Sequence, residues 1–313
     1  MLSATVLATT TAVALALAPN ATLTQANADL QAGEADKALA LLAQQGSGSA
    51  EAHNLACRVH MTLQRWDNAV NECEQAVKLD GQNSDYHLWL GRALGEKADR
   101  ASFLSAYSLA KRVRAEFEEA VRLNPRNVDA LADLGEFYKE APEVVGGGTA
   151  KAEGVAQQLD KLNPAHAEDL RASIADKAKD YGTAEREYKQ ATTVAVHPAS
   201  QWIELASFYR RHQKWAEMET AITTVVRDKQ AGVALFDGAL VLIRANRNPE
   251  LAAKMLESYL AGTSKSEQAP AFVAHLRLAT LKDQLGDTAA ANRERAQAQA
   301  MAHDFNPAQD GKH

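Results

Sequence analysis

Two histidines and two cysteines form the group of side chains with the most specific chemistry in this sequence. His53, Cys57 and His60 follow one another at intervals of four and three residues, so in a helix they share one face. Cys73 falls in the segment expected to pair with that helix. Such a group could bind a metal ion, although its spacing differs from that of the usual zinc modules. A disulfide between Cys57 and Cys73 is an alternative if their Cα atoms lie within about 7 Å. We predict instead two buried thiols, no bound metal, and a packing role for His53 and for His87.

A run of three glycines is the second group with possible chemistry. Gly146, Gly147 and Gly148 precede Lys151 at the predicted start of a helix, where exposed backbone N–H groups could bind an anion. The run lacks the spacing of a phosphate-binding loop, and no strand is expected before it. We predict a flexible connection between two helices and keep a peptide or anion contact as the alternative.

No combination of residues in the sequence predicts catalysis. Histidines and carboxylates are scattered, and no strained turn presents a nucleophile beside a base. The formal net charge of −6 and the pI near 5.9 argue against a basic surface for nucleic acid. We expect a protein that is not an enzyme, needs no cofactor and does not bind nucleic acid.

The elements that position these residues are repeated along the chain. The segment 54–83 is similar to residues 89–94 joined to 115–127, and to residues 131–138 joined to 151–164. Each copy pairs a first helix that carries a small residue with a second helix that carries alanine. A period of about 34 residues with two helices per unit is typical of stacked helical repeats.

The repeat resembles the tetratricopeptide repeat. The residues that match the family's Trp-x2-Leu-Gly-x2-Tyr type of pattern are Trp202, Leu205, Ala206, Tyr209, Trp215 and Ile222, together with Leu90, Gly91, Leu134, Gly135 and Tyr138. The match covers most of residues 22–305. The resemblance implies an all-α fold, a right-handed α-solenoid of about eight helix pairs in which no unit buries its apolar face alone.

The spacing of the repeat predicts the organisation of the chain. Residues 1–21 resemble a signal peptide, residues 22–306 form the repeat array and residues 307–313 are a polar tail. Two units are longer than the period, one through a lengthened second helix at 98–121 and one through a glycine-rich loop at 139–154. The units are expected to begin near residues 22, 50, 84, 128, 165, 199, 232 and 272.

The N-terminal segment predicts export. Residues 2–18 are apolar or small and carry no charge, over about the length of the apolar region of a signal peptide. No later stretch is apolar and long enough to cross a bilayer, so the mature part should not span a membrane. We expect a periplasmic or secreted protein, with cytoplasmic residence or an N-terminal membrane anchor as alternatives.

The resemblance also implies where a partner binds, because the first helices of such a solenoid line a concave face that takes proteins or peptides. The residues that we place on this face are Asn54, Arg58, Arg92, Glu136, Lys139, Arg210 and Arg211. Asn54, Arg58 and Arg92 partly resemble the carboxylate-binding clamp of chaperone-binding family members. The predicted function is a scaffold or adaptor for a protein or peptide partner. Two alternatives are an accessory subunit or chaperone of a cell-envelope assembly or transport machine, and a carrier of a metal or small ligand.

Overall fold

The structure is a computed structural model that describes residues 19–45 and 48–305. Most of the signal-peptide-like segment and the whole polar tail lie outside these residues. Within the described ranges the chain forms sixteen α-helices. They are α1 Pro19–Ala32, α2 Ala35–Gln45, α3 Ala50–Thr62, α4 Trp66–Leu79, α5 Ser84–Asp99, α6 Phe103–Leu123, α7 Val128–Glu140, α8 Thr149–Leu159, α9 Pro164–Lys177, α10 Tyr181–Val194, α11 Ala199–Arg211, α12 Trp215–Arg227, α13 Val233–Ala245, α14 Pro249–Ala261, α15 Ala271–Gln284 and α16 Thr288–Met301. None of these helices combines the length and the apolar composition needed to cross a membrane.

The helices form eight consecutive pairs, which we call units one to eight. Each odd-numbered helix, the first helix of its unit, packs against the even-numbered second helix that follows, and each unit packs against the next. Every first helix begins within three residues of the position that the repeat predicts. The expected all-α solenoid of about eight helix pairs is therefore confirmed.

Glycines on the first helices allow close approach between helices. A β-carbon at Gly91 on α5 would lie 2.5 Å from Cε1 of Phe117 on α6. A β-carbon at Gly135 on α7 would lie 2.5 Å from Cδ2 of Leu170 on α9. Both distances are far shorter than van der Waals contact, so a larger residue at either position would displace a core side chain. These glycines thus set the spacing within a unit and between neighbouring units.

The longest unit differs from its predicted boundaries. Instead of one lengthened helix at 98–121, both of its helices are long: α5 has 16 residues and α6 has 21. Residues 100–102 form the turn between them. The extra residues therefore lengthen the first helix of this unit as well as the second.

The glycine-rich loop 139–154 is a defined turn rather than the flexible connection that we predicted. It contains one turn of 3-10 helix, Glu143–Val145. Gly146 and Gly148 have φ angles of 98° and 143°, which side-chain-bearing residues rarely adopt. A β-carbon at Gly146 would also overlap the Arg114 side chain. Both glycines are therefore required by the path of the backbone.

A histidine–glutamate hydrogen bond joins the two helices in three of the units. In each, Nδ1 of the histidine lies 2.6 Å from Oε2 of the glutamate. The pairs are His53–Glu72, His87–Glu116 and His275–Glu294. The bond to Glu116 raises the pKa of His87 above its usual value, against the opposing effect of burial. These histidines therefore connect the two helices of a unit, as the predicted packing role of His53 and His87 implies.

Cys57 on α3 and Cys73 on α4 form a disulfide, with Cα atoms 5.3 Å apart. The prediction of two buried thiols is therefore wrong. Both positions are completely buried where the two helices of unit two face each other, which brings the sulfurs together. The bond spans a sequence separation of 16 residues. A crosslink of that size stabilises a fold by about 3 kcal/mol, chiefly by restricting the unfolded chain.

We predict that Cys57→Ala/Cys73→Ala lowers the free energy of the first unfolding transition by about 3 kcal/mol, because the unfolded chain regains its entropy. Urea unfolding followed by circular dichroism measures this change. Dithiothreitol should destabilise the parent protein by a similar amount and leave the double variant unchanged. A parent protein that is equally stable with and without the reductant would contradict the disulfide.

Candidate protein-binding groove

The first helices of successive units lie side by side and form the concave face of the solenoid. Contacts connect α3 to α5, α5 to α7, α7 to α9, α9 to α11 and α11 to α13. A cavity of 870 Å³ opens on this face, and its lining comes mainly from α7, α9 and α11. We call this concave face the groove.

Four carboxylates occupy the same place on successive first helices, and we call them the acidic ladder. They are Asp133 on α7, Asp169 on α9, Glu204 on α11 and Asp237 on α13. Each lies four or five residues after the start of its helix, so the stacking of units four to seven places them in a row. Asp133, Asp169 and Glu204 line the 870 Å³ cavity. Four units together thus give the groove an acidic surface.

Burial and mutual repulsion raise the pKa values of the acidic ladder. The pKa of Asp169 rises to about 7, first because of burial and then because of the Glu204 charge. The same two causes raise the pKa of Asp237 to about 6. Burial also raises the pKa of Asp133, although its partner Arg92 acts in the opposite direction. The groove therefore makes these carboxylates costly to ionise in the absence of a cation.

Glu204 is the central member of the acidic ladder. Its side chain stays exposed to the solvent in the groove, yet the surrounding protein desolvates the carboxylate and raises its pKa. Among residues 19–45 and 48–305 it has no ion-pair partner. The charges of Arg211 and Lys139 act in the opposite direction, but they do so without a direct contact, and the effect of burial is larger. Glu204 is thus a carboxylate that a ligand could reach.

Asp169 has unused capacity to accept hydrogen bonds. Gln201, which is 5% exposed, donates from Nε2 to Oδ2 of Asp169 over 3.3 Å. The other oxygen, Oδ1, is buried and accepts no hydrogen bond within the described part of the chain. A buried acceptor without a donor is unfavourable. A ligand that brings a donor or a positive charge would relieve this cost.

Three residues predicted for the concave face, Glu136, Lys139 and Arg211, line the 870 Å³ cavity. Lys139 Nζ lies 2.6 Å from the Glu136 carboxylate, and Arg211 Nη2 lies 2.8 Å from that of Asp176. These charges are therefore balanced by neighbours within the chain, in contrast to that of Glu204.

Arg58 and Arg92 line a second cavity, of 480 Å³, together with Trp89. Their guanidinium groups lie 5.3 Å and 4.8 Å from the centroid of the Trp89 ring. Arg92 binds Asp133 over 2.5 Å, and Arg58 binds Glu267 over the same distance. Both predicted clamp arginines are thus already paired with carboxylates of the chain itself.

Two further predicted residues line neither of these cavities. Asn54 is only 5% exposed, and its Nδ2 has no hydrogen-bond partner within the described ranges. Arg210 also has a buried Nε without such a partner. Burial and the charge of Arg244 lower the pKa of Arg210. The predicted concave residues therefore belong to separate environments rather than to one clamp.

The three glycines of the loop use their backbone donors internally. Gly146 donates to the carbonyl of Glu143, Gly147 to that of Pro142 and Gly148 to that of Tyr138. Lys151 also folds back, and its Nζ donates to the Gly146 carbonyl over 2.7 Å. This arrangement leaves none of the three N–H groups for an anion.

The side chains of the predicted metal cluster, His53, Cys57, His60 and Cys73, do not form a metal site. The sulfurs of Cys57 and Cys73 are joined to each other, and Nδ1 of His53 lies 2.6 Å from Glu72. Across residues 19–45 and 48–305 no three potential metal ligands come together. His60 instead borders a pocket between α2 and α3, and burial lowers its pKa.

Neither the acidic ladder nor Trp89 was among the predicted site residues. The ladder has a signal in the sequence, because an acidic residue recurs at one place in four consecutive first helices. A single carboxylate on a helix usually indicates only a solvated face. Stacking of the units is needed to show that these four face one groove.

No protein-family model and no curated protein matches the chain. Solved structures of similar fold do match. The thermophilic TPR protein TTC0263 of Thermus thermophilus is 18% identical, with a TM-score of 0.51, over 61% of this chain and 98% of that one. PilF of Pseudomonas aeruginosa is 17% identical, with a TM-score of 0.44, over 69% of this chain and 94% of that one. The first of these likenesses shows the fold, a tetratricopeptide-type solenoid, as the sequence motifs implied.

We predict that Glu204→Gln lowers the pKa of Asp169 below about 7 and that of Asp237 below about 6, because the repelling charge between them is removed. Carbon-detected NMR titration of the side-chain carboxyl groups measures both values. Glu217→Gln, at an exposed position on α12, is the matched control and should leave them unchanged. Unaltered pKa values of Asp169 and Asp237 in Glu204→Gln would show that the Glu204 charge does not act on either of them.

Proposed function

We propose that this protein is a non-enzymatic scaffold that binds an extended, positively charged segment of a partner protein along its groove. The acidic ladder carries the proposal, because it places four carboxylates in a row, one from each of four units. Asp133 is paired with Arg92, whereas Asp169, Glu204 and Asp237 form no ion pair among the described residues. A tetratricopeptide-type solenoid provides the long concave surface that such a segment needs.

The electrostatics of the groove favour lysine or arginine side chains. Asp169 and Asp237 hold protons up to about pH 7 and pH 6 because their burial and the Glu204 charge are not compensated by a cation, apart from the smaller opposing effect of Arg244 on Asp237. A bound cation would supply that compensation and displace the protons, so binding and ionisation are linked. The affinity should therefore rise with pH and fall with salt.

The cavity on the groove suits part of a peptide chain. Its volume of 870 Å³ is within the range of ligand-binding clefts, and the ladder extends beyond it to Asp237 on α13. The pairs formed by Lys139 and Arg211 at its edge limit the positive charge that would repel a basic segment. A carrier of metal or small ligands has less support, because the cysteines of the candidate cluster are joined in a disulfide.

The test uses a fluorescein-labelled peptide of alternating lysine and serine, about twelve residues long, and fluorescence anisotropy. The triple variant Asp169→Asn/Glu204→Gln/Asp237→Asn should bind it at least about tenfold more weakly, since removing one charge pair from a groove costs roughly 1 kcal/mol. The parent protein should bind more weakly as the pH falls from 8 to 5, because Asp169 and Asp237 take up protons in that range.

A second triple variant separates the groove from net charge. Glu51→Gln/Glu217→Gln/Glu250→Gln removes three exposed carboxylates outside the acidic ladder and should keep the affinity of the parent. A peptide with glutamate in place of lysine should not bind. If both triple variants lost affinity for the peptide equally, the binding would depend on the net charge of the protein, and the proposed site would be wrong.

An accessory subunit of a cell-envelope machine is the second candidate function, and an exposed apolar surface favours it. Phe103 and Leu104 at the start of α6 are 86% and 81% exposed, and Tyr107 follows one turn later at 37%. We call these three residues the apolar tip. Exposed apolar side chains grouped in this way are typical of a surface that contacts a protein or a membrane. Export, which this candidate requires, is supported by the Cys57–Cys73 disulfide, because such bonds persist in oxidising compartments.

Cell fractionation tests both export and the apolar tip. When the full chain is expressed in bacteria, we expect it in the envelope fraction without its original N-terminus. Phe103→Ser/Leu104→Ser should move it from the membrane-associated fraction to the free periplasmic one. Val196→Ser, at a single apolar residue that is 88% exposed elsewhere, is the control and should not. Protein that stays in the cytosol with Met1 in place would exclude this candidate.

A further inference from the structure

The first and last units of the solenoid contact each other, so the eight units close into a ring. α2 packs against α16. Phe272 on α15 and Ala298 on α16 belong to one buried apolar cluster with Leu30 on α1 and Leu55 on α3. We call this junction between the two ends of the array the seam.

The backbone of the two ends approaches very closely at Gly33. A β-carbon there would lie 2.5 Å from the backbone nitrogen of Ala271, at the start of α15. Gly33 also has a φ of 81°, which glycine adopts without strain. The turn between α1 and α2 is thus shaped to contact the last unit.

Residues 262–270, which we call the strap, connect α14 to α15 and reach across the seam. Ser266 and Ala269 form an isolated antiparallel bridge. The Tyr259 hydroxyl donates to the Ala269 carbonyl over 2.5 Å and accepts from the Ser266 N–H over 3.2 Å. Tyr259 of unit seven therefore holds the strap in a fixed turn. Glu267 lies between the bridged residues Ser266 and Ala269.

Glu267 is bound by side chains of units one and two. Arg58 donates from Nε to Oε2 over 2.9 Å and from Nη2 to Oε1 over 2.5 Å. Gln31 donates to Oε1 over 3.1 Å and accepts from the Glu267 N–H over 3.2 Å. Asn27 accepts from Arg58 Nη2 over 3.2 Å and so orients the guanidinium. The Glu267 side chain is only 9% exposed, which makes this a largely desolvated, bidentate ion pair.

A second set of contacts at the seam is more exposed. Asp36 on α2 accepts from the backbone N–H of His303 over 2.8 Å. Nδ1 of the His303 ring also lies 3.0 Å from Oδ2 of Asp36, and the His303 side chain is 66% exposed. The strap therefore supplies the more deeply buried polar contact, and the end of α16 supplies the outer one.

We infer that the strap is a latch, and that the ring opens at the seam to admit a partner segment that has no free end. The inference rests on the proposed function, because the acidic ladder faces the inside of this ring. Backbone connects each unit to the next, but only non-covalent contacts hold unit one to unit eight. The seam can therefore open while the helices keep their pairing. Glu267 also lines the 480 Å³ cavity on the groove, so release of the latch opens the groove directly.

The first experiment measures the seam without a ligand. Asp36→Cys/His303→Cys places two thiols where the chain ends meet, and the Cys57–Cys73 disulfide leaves no other thiol to react. A short thiol-reactive crosslinker should join them readily. Adding Glu267→Ala should slow the reaction about tenfold or more, because loss of one partner from a buried ion pair shifts the balance towards the open form.

Two controls accompany this experiment. Glu250→Ala, at an exposed carboxylate on α14, should leave the crosslinking rate unchanged. Should Glu267→Ala fail to fold, Gln31→Ala removes only the two Gln31 hydrogen bonds, keeps the Arg58–Glu267 ion pair and should slow crosslinking to a smaller degree. Equal rates with and without the latch contacts would overturn the inference.

The second experiment compares two ligands on the crosslinked ring and on the same cysteine variant before crosslinking. One is the labelled lysine–serine peptide with free ends, and the other is that peptide with a small folded domain at each end. The free peptide should bind both forms alike, whereas the capped peptide should associate at least about tenfold more slowly with the crosslinked ring. Glu267→Ala should speed its entry into the ring that is not crosslinked.

The outcomes separate the latch from the proposed function. Entry of the capped peptide at the same rate before and after crosslinking would contradict the latch, even if the groove binds the peptide. If the free peptide binds to no form, the proposed function is wrong, and the crosslinking rates of the first experiment alone decide whether Glu267 holds the seam.

Discussion

Each helix pair leaves an apolar face that only the neighbouring pair can cover, and the rest of the structure depends on this stacking. One cluster of buried side chains runs from Cys57 to Leu170, through units two to five, and another from Ala172 to Leu281, through units five to eight. Glycine and alanine at the contacts let the helices approach closely enough for these clusters to be continuous. A break at one junction would expose apolar surface on both sides of it.

Closure into a ring follows from the same constraint. A linear solenoid has two terminal faces that must be covered by polar capping elements. Here a third cluster joins Leu23 and Leu30 of unit one to Phe272 and Ala302 at the other end of the array. The terminal faces therefore cover each other, with the Arg58–Glu267 pair beside them. Closure turns the concave face into an interior, so the contacts that stabilise the ends also limit access to the groove.

The acidic ladder acts against the stability that stacking provides. An aspartate in an unfolded chain has a pKa of about 3.9, whereas those of Asp169 and Asp237 are raised to about 7 and about 6. At these two positions the folded chain therefore binds more protons than the unfolded chain between about pH 4 and pH 7. Their effect on the free energy of unfolding becomes less favourable as the pH rises through that window. Carboxylates held together at such a cost are typical of functional sites rather than of structural surfaces.

The sequence by itself determined the helix pairs and the face on which each helix packs. Small and aromatic residues at a period of about 34 residues specify which face of each helix packs, so eight helix pairs and their starting points could be predicted. Tertiary structure alone decided that Cys57 meets Cys73 as a disulfide, that Arg58 binds a glutamate 209 residues away, and that four carboxylates from four units face one groove. The physical reason is that the repeat defines contacts between neighbouring units, but not the small rotation from each unit to the next. That rotation accumulates over eight units, and its sum determines whether the ends meet and which side chains share the interior.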